Sequence, residues 1–193
     1  MKQLALPLVL PVAIAFASCG ANGVDGVNGD APVAPMAHDP DVVGAAVPSE
    51  SALAEPWGAV VLEYVALRGA LVASDLDAAR AKAADLAARL DPADVPAADG
   101  EAWAAATEPL AGPAAELAEA ADLDAARAAF AALTDPVVAA VRVLGDGGRD
   151  LFVQHCPMAF DNAGASWVSA EREIRNPYFG DAMLTCGRVT EEL

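Results

Sequence analysis

The sequence predicts an all-α fold: an up-down four-helix bundle with a small irregular C-terminal motif, made of short strands and turns, packed on it. Three observations predict it. Apolar residues recur at steps of three and four through most of residues 52–148, the spacing of one buried helix face. Capping residues, prolines and glycines divide that stretch into four helical parts. After Arg149 the Ala-, Leu- and Asp-rich usage gives way to a tail, 149–193, that holds Cys156, Cys186, Met158 and Met183. The tail is too small to stand alone, so it belongs to the same domain as the helices.

The chain opens Met1-Lys2-Gln3, then runs through apolar residues from Leu4 to Phe16 and small ones to Cys19. One basic residue, a short apolar core and a small-residue cut define a signal peptide over 1–18. That core is shorter than the roughly 20 residues a membrane-spanning helix needs. Phe16-Ala17-Ser18-Cys19 resembles a bacterial lipoprotein box, which implies that Cys19 is lipidated and becomes the mature N-terminus. The alternative is a cut near Ala17 that leaves Cys19 a spare thiol. Gly20 after the cysteine favours, in a two-membrane bacterium, the outer membrane, so the expected location is the cell envelope on the periplasmic side. Residues 19–51 are rich in Gly, Asn, Asp and Pro without periodicity, as in a flexible lipidated tether. Met36 and His38 lie in it as incidental linker residues.

Charge narrows the partners. Asp and Glu total 28 against 11 Lys and Arg, a net charge of −17. Nucleic acid wants a basic face, and anionic lipid wants a polybasic segment. Contact with the membrane is therefore expected only through the N-terminal lipid.

The first helix is expected from Ser51 to Ala73, with Trp57, Val60, Val61, Tyr64, Leu67 and Leu71 on one stripe. Leu62, Val65 and Val72 widen the apolar surface, so the helix reads as largely buried. Asp75 caps the second, and Asp77 places a negative charge in its first turn. Its core face is Leu76, Ala79, Ala83, Leu86 and Leu90, and Asp91-Pro92 stops it. The third stretch, Glu101 to Ala121, contains Pro109, Gly112 and Pro113. An interior proline costs about 3 kcal/mol, which predicts two short pieces. The fourth helix opens at Asp122 and carries Leu123, Ala126, Phe130, Leu133, Val137, Val141 and Leu144 in phase across Pro136, which predicts a kink without a break. Asp75-Leu76-Asp77-Ala78-Ala79-Arg80 recurs as Asp122-Leu123-Asp124-Ala125-Ala126-Arg127. Two related helical hairpins, or convergence of Ala-rich helix starts, account for the echo equally well, and both give the bundle.

In the tail, Leu151 to Gln154 and Ala165 to Val168 read as short strands, and Asp161-Asn162-Ala163-Gly164 as a turn. Asp181 to Cys186 reads as a short helix or an extended piece. Trp167, Tyr178 and Phe179 are expected to staple the tail to the bundle, and Asp161, Asn162 and Asn176 to bond turn backbone.

The candidate chemistry lies in two clusters: His155, Cys156 and Met158, then Met183 and Cys186. Thiolates and thioethers select soft ions such as Cu(I) or Ag(I). Cys156-x-Met158 turns around a proline, and Met183-x-x-Cys186 spans one helical turn, so both pairs can face one ion. Zinc fits less well, because it seldom takes thioethers. With Cys19 used for lipid, Cys156 and Cys186 are equally an even pair in an oxidising setting, where a disulfide is the default. Such a bridge closes a loop of about 30 residues, worth roughly 3–4 kcal/mol on the loop-entropy estimate; Met158 and Met183 would then be core filler. A redox pair alternating between the two states is the third reading. No nucleophile-base-acid set, carboxylate–histidine metal cluster or phosphate loop is present, so no enzyme is expected. His155 beside Cys156 could activate a thiolate, but strand neighbours point to opposite faces.

Four runs carry a resemblance: His155-Cys156-Pro157-Met158-Ala159, Gly164-Ala165-Ser166-Trp167-Val168-Ser169, Glu173 to Gly180, and Met183-Leu184-Thr185-Cys186-Gly187. They resemble a bacterial domain-of-unknown-function family found as exported proteins and as a C-terminal domain on periplasmic adaptor subunits of copper/silver-type efflux pumps. Tyr64-x-x-Leu67-x-x-Ala70-Leu71 and Ala126-Arg127-x-x-Phe130-x-x-Leu133 resemble its helical part, and the likeness spans about Ala54 to Val189. The proline-interrupted third helix and His155 depart from the family pattern. The resemblance implies heavy-metal handling, with efflux components as partners. The expectation is therefore an exported lipoprotein that binds a soft ion, Cu(I) or Ag(I), for buffering or hand-over. Cys156 and Cys186 are the principal ligands, Met158 and Met183 secondary ones, and His155 optional. The alternative is a disulfide-stapled structural lipoprotein that docks an envelope protein and holds no metal.

Overall fold

The structure, a computed structural model, describes residues 50–193, which form four long helices and a small antiparallel sheet. The expected signal peptide, the lipidation residue Cys19 and the tether with Met36 and His38 lie outside the described residues. Among the described residues no helix is long and apolar enough to cross a membrane.

Helix α1 runs Glu50–Val72. Its predicted stripe is buried at every position: Trp57, Val60, Val61, Tyr64, Leu67 and Leu71. Leu62 is a correction, since it is 51% exposed. It sits about 100° around the helix from Val61 and faces an open groove with Ala54, Glu55 and Ala59. Helix α2, Leu76–Arg89, starts as expected, with the Asp75 carboxylate accepting the Ala78 N–H at 2.9 Å. Ala79, Ala83, Leu86 and Leu90 are buried, while Leu76 is only half-buried.

Helix α3, Gly100–Ala118, is one continuous helix, which corrects the expectation of two pieces. Pro109 and Pro113 stand four residues apart, and Pro109 is exposed. The carbonyls these rings leave unpaired, at Ala105 and Pro109, therefore lie on the outer side, where water can take them. Trp103, Thr107, Leu110, Ala114 and Leu117 hold the other side in the core. Helix α4, Leu123–Leu144, passes unbroken through Pro136, and Asp122 caps it by accepting the Ala125 N–H at 2.8 Å.

In the resulting helical bundle α2 packs on α1, α3 on α2 and α4 on α3, and α4 returns to α1. Trp57 and Trp103 meet edge to face at 6.5 Å in the middle. Both buried indole N–H groups are satisfied, by the Gly145 and Leu90 carbonyls at 2.7 and 3.0 Å, as buried donors require.

The tail holds β1 (Phe152–Cys156), β2 (Ala165–Ser169) and β3 (Arg188–Glu192) in one antiparallel sheet of order β2-β1-β3. β1 and β2 agree with the sequence reading; β3 is absent from it. Its residues Arg188, Thr190, Glu191 and Glu192 carry no apolar alternation to mark a strand, and mostly exposed edge strands tolerate charge.

Buried polar groups join the sheet to the bundle. The Val168 N–H donates to the Tyr64 hydroxyl at 3.1 Å, and the Thr134 hydroxyl donates to the Ser166 carbonyl at 3.0 Å. Arg68 donates to the Ser169 hydroxyl at 2.7 Å. Tyr64 stacks on Phe130, Phe130 meets Tyr178, and Tyr178 meets Trp167 edge-on. Trp167 and Tyr178 thus act as the predicted staple; Phe179 is only half-buried.

Candidate functional site

β1 delivers Cys156 to the site as its last residue, on the face shared with Gln154. Strand alternation makes this placement obligatory, and pairing of Cys156 with Ala165 holds the backbone. Cys186 comes from the other side, after a 3-10 turn over Gly180–Met183. Its N–H bonds the Met183 carbonyl at 3.1 Å. Buried Asn176 clamps the loop between them. Its Nδ2 donates to the Cys186 carbonyl at 2.9 Å, its Oδ1 accepts the Tyr178 N–H at 2.8 Å, and its own N–H bonds the Leu184 carbonyl. Next to Cys186, Gly187 has φ +141, and a Cβ there would stand 2.9 Å from the Trp167 ring and 3.0 Å from the His155 carbonyl. Only glycine lets the chain pass this close.

These constraints bring Cys156 Sγ and Cys186 Sγ to 2.6 Å. Cys156 is fully buried, at 0% exposure, whereas Cys186 is half-buried. The Cys156 thiol beside it, and then desolvation, hold the Cys186 thiol above its ordinary range; the Met158 backbone N–H acts in the opposite direction. Pro157, having no N–H, leaves that of Met158 as the donor facing the sulfur.

The two thioethers meet elsewhere on the same surface. Met158, 47% exposed, and half-buried Met183 line one open cleft of about 560 Å3 with Phe160, Tyr178 and Phe179. Between Met158 and Gly164 the chain makes a short turn, Ala159–Asn162, in which Phe160, Asp161 and Asn162 all have positive φ, at 50, 56 and 70°. A left-handed residue other than glycine costs about 1–2 kcal/mol, so this turn is strained. It folds Phe160 back onto Tyr178, ring to ring at 5.3 Å.

His155, the optional ligand, stands apart from the sulfur pair. It faces away from Cys156, bonds the Ser166 hydroxyl through Nδ1 at 3.0 Å, and lines a separate cleft with Thr134 and Asp135. Of the five expected ligands, the two thiols stand close together, the two thioethers line one cleft, and the imidazole lines another. Among the described residues no group of three or more His, Cys, Asp or Glu side chains is placed to hold a metal ion.

Three supporting residues escaped the sequence reading. Gln154 is fully buried and donates to the Glu171 and Glu173 carbonyls at 2.7 and 3.2 Å, tying down the loop after β2. Arg68, 6% exposed, reaches Ser169 and Glu171; burial lowers its pKa and Glu171 opposes that. Arg127 donates to the Pro177 carbonyl at 3.0 Å and the Ser74 hydroxyl at 3.1 Å. Arg127 stands in the six-residue echo and in the resemblance of the helical part, which assign it no role. Its counterpart Arg80 likewise holds a chain connection, by donating to the Ala120 carbonyl.

No curated protein and no solved structure matches the chain. Residues 60–147, from the middle of α1 to the loop after α4, match a family described as "Protein of unknown function (DUF3347)". The match ends before β1, so the sulfur site lies beyond the matched stretch. The helical bundle of this chain is therefore similar to a domain of unknown function, and its chemistry has to be argued from the tail.

Proposed function

We propose that this chain is an exported, lipid-anchored protein of the cell envelope, an up-down four-helix bundle whose C-terminal sheet and loops bind a soft ion. The observation that carries the reading is the approach of Cys156 and Cys186, drawn from two segments, with Met158 and Met183 together lining one cleft of the tail. As thiolates, Cys156 and Cys186 are the principal ligands for Cu(I) or Ag(I), and Met158 and Met183 supply thioethers at the solvent side. His155 is not a ligand in this reading. Thiolates about 2.3 Å from one ion stand well over 3 Å apart, so loading requires the Cys186 loop to move outward from its present position. An accessible, thioether-lined site suits buffering or hand-over to a heavy-metal efflux or resistance component. No catalytic step is assigned to it.

The test is the native mass of the full chain, recovered reduced and supplied with Cu(I). One bound copper, lost in Cys156→Ser/Cys186→Ser, is the expected result. Equal copper in the wild type and the double variant would end the proposal.

The separation of 2.6 Å between the sulfurs, with Cys156 buried, favours a second reading. There the pair is a disulfide, and the protein is a structural lipoprotein that docks an envelope partner without metal. A recovered mass two hydrogens lighter that takes up no copper after reduction would select it.

A further inference from the structure

The two sulfurs differ in their surroundings. Cys156 ends the central strand of the sheet at 0% exposure, paired with Ala165 of β2. Cys186 lies in a loop, half-buried, with its sulfur towards the Met158 N–H. Its backbone is clamped by Asn176 and Met183, so the residue keeps this half-buried position without local unfolding. A nucleophile reaches Cys186 in the folded protein, but reaches Cys156 only if β1 leaves the sheet.

We infer that the Cys156–Cys186 pair is a one-sided thiol–disulfide couple, in which an incoming thiol attacks Cys186 and Cys156 is the leaving group. The inference deepens the proposed site, because this reduction supplies the thiolates a soft ion needs; it shares the sulfur pair of that reading but not its metal. The partner class is a thiol reductant, either a small thiol or the dithiol of a reductase. Its thiolate attacks Cys186 Sγ, the new S–S bond forms there, and the Cys156–Cys186 bond breaks. Cys156 departs as a thiolate and takes a proton from solvent, which offsets the one lost by the attacking thiol. A second thiol then attacks the mixed disulfide and releases Cys186, so two reductant thiols are oxidised to a disulfide and the protein gains two electrons and two protons.

The oxidised full chain, treated briefly with 2-mercaptoethanol and quenched with iodoacetamide, tests this directly. Trypsin cuts after Arg149, Arg172, Arg175 and Arg188, so Cys156 and Cys186 are read on separate peptides, and Cys19 on another. The mercaptoethanol adduct is expected on Cys186 and the alkyl group on Cys156. An adduct on Cys156, an even split, or an oxidised protein without the bridge would overturn the inference. Single-cysteine variants give a second measure. In native protein Cys186 of Cys156→Ser should react with Ellman's reagent at least about tenfold faster than Cys156 of Cys186→Ser, the difference vanishing in denaturant, because exposure controls access. Equal native rates would also overturn it. An adduct on Cys186 in a protein that binds no copper would leave this inference standing and remove the metal. Copper binding with the adduct on Cys156 would do the reverse.

Discussion

Gly180 shows how single residues hold the tail on the bundle. Its φ is +54, and a Cβ there would stand 2.6 Å from the Ser74 hydroxyl and 3.0 Å from the Val72 carbonyl, at the corner between α1 and α2. Gly180→Ala would both strain the backbone and push the tail from that corner. A loss of about 2–4 kcal/mol in urea unfolding is expected, and a loss below 0.5 kcal/mol would mean that the corner is not packed as described. Tyr64 gives a prediction in pH. Burial raises its phenol from 10.0 to about 12, with the Thr134 and Val168 hydrogen bonds opposing the shift. A folded pKa above the unfolded value contributes stability that is complete below pH 10.0 and is lost as pH rises towards about 12. Two pKa units correspond to roughly 3 kcal/mol. Tyr64→Phe should be less stable at neutral pH, having lost its bond to the Val168 N–H. Its stability should also fall less steeply over that alkaline window. Parallel curves for the two proteins would exclude Tyr64 as the source.

At the scale of elements, α3 resists its own sequence. Two prolines remove two helical hydrogen bonds, yet the helix continues because Trp103, Thr107, Leu110, Ala114 and Leu117 are all buried along one side. Burial of a large apolar side chain contributes about 1.5–3 kcal/mol, so Trp103, Leu110 and Leu117 together offset two proline costs of about 3 kcal/mol each. Pro109 is exposed, so Pro109→Ala should restore a bond without disturbing the core and raise stability by about 1–3 kcal/mol. A neutral or destabilising result in thermal unfolding would show that the proline shapes the helix to fit its neighbours. The echoed helix starts make a paired prediction. Asp75→Ala and Asp122→Ala each remove one side-chain cap at an exposed helix start, at 2.9 and 2.8 Å. Each should cost about 1 kcal/mol, and together they should add, because the two carboxylates share no partner. Double-variant loss well below the sum would reveal coupling between the two starts.

For the whole molecule, the sheet and the bundle are expected to unfold as one unit. The Tyr64, Phe130, Tyr178 and Trp167 rings run continuously from α1 to β2, and Arg68, Thr134 and Arg127 each bond across the boundary. Fluorescence from Trp103 in the bundle and Trp167 in the sheet, each followed in a variant with the other tryptophans replaced by Phe, should give coincident urea transitions. Separate midpoints would make the tail an independent unit. The sequence by itself determined the helices. The stripe from Trp57 to Leu71, the two aspartate caps, the steps of α4 and the first two strands follow from local periodicity and capping, which short segments encode. It also singled out the sulfur clusters, because composition alone marks them. Only the tertiary structure decided that α3 is continuous, since burial of its inner face is a sum over neighbours that no local proline rule includes. It alone added β3, a strand made by pairing and not by apolar pattern. It separated His155 from the sulfurs by strand alternation, and found Arg68, Gln154 and Arg127, whose work is to bond backbone distant in the chain. Above all it decided that Cys156 and Cys186 meet as a buried and a half-buried partner. Their spacing permits the meeting, but only packing around Asn176, Gly187 and Trp167 brings it about and leaves one sulfur towards solvent.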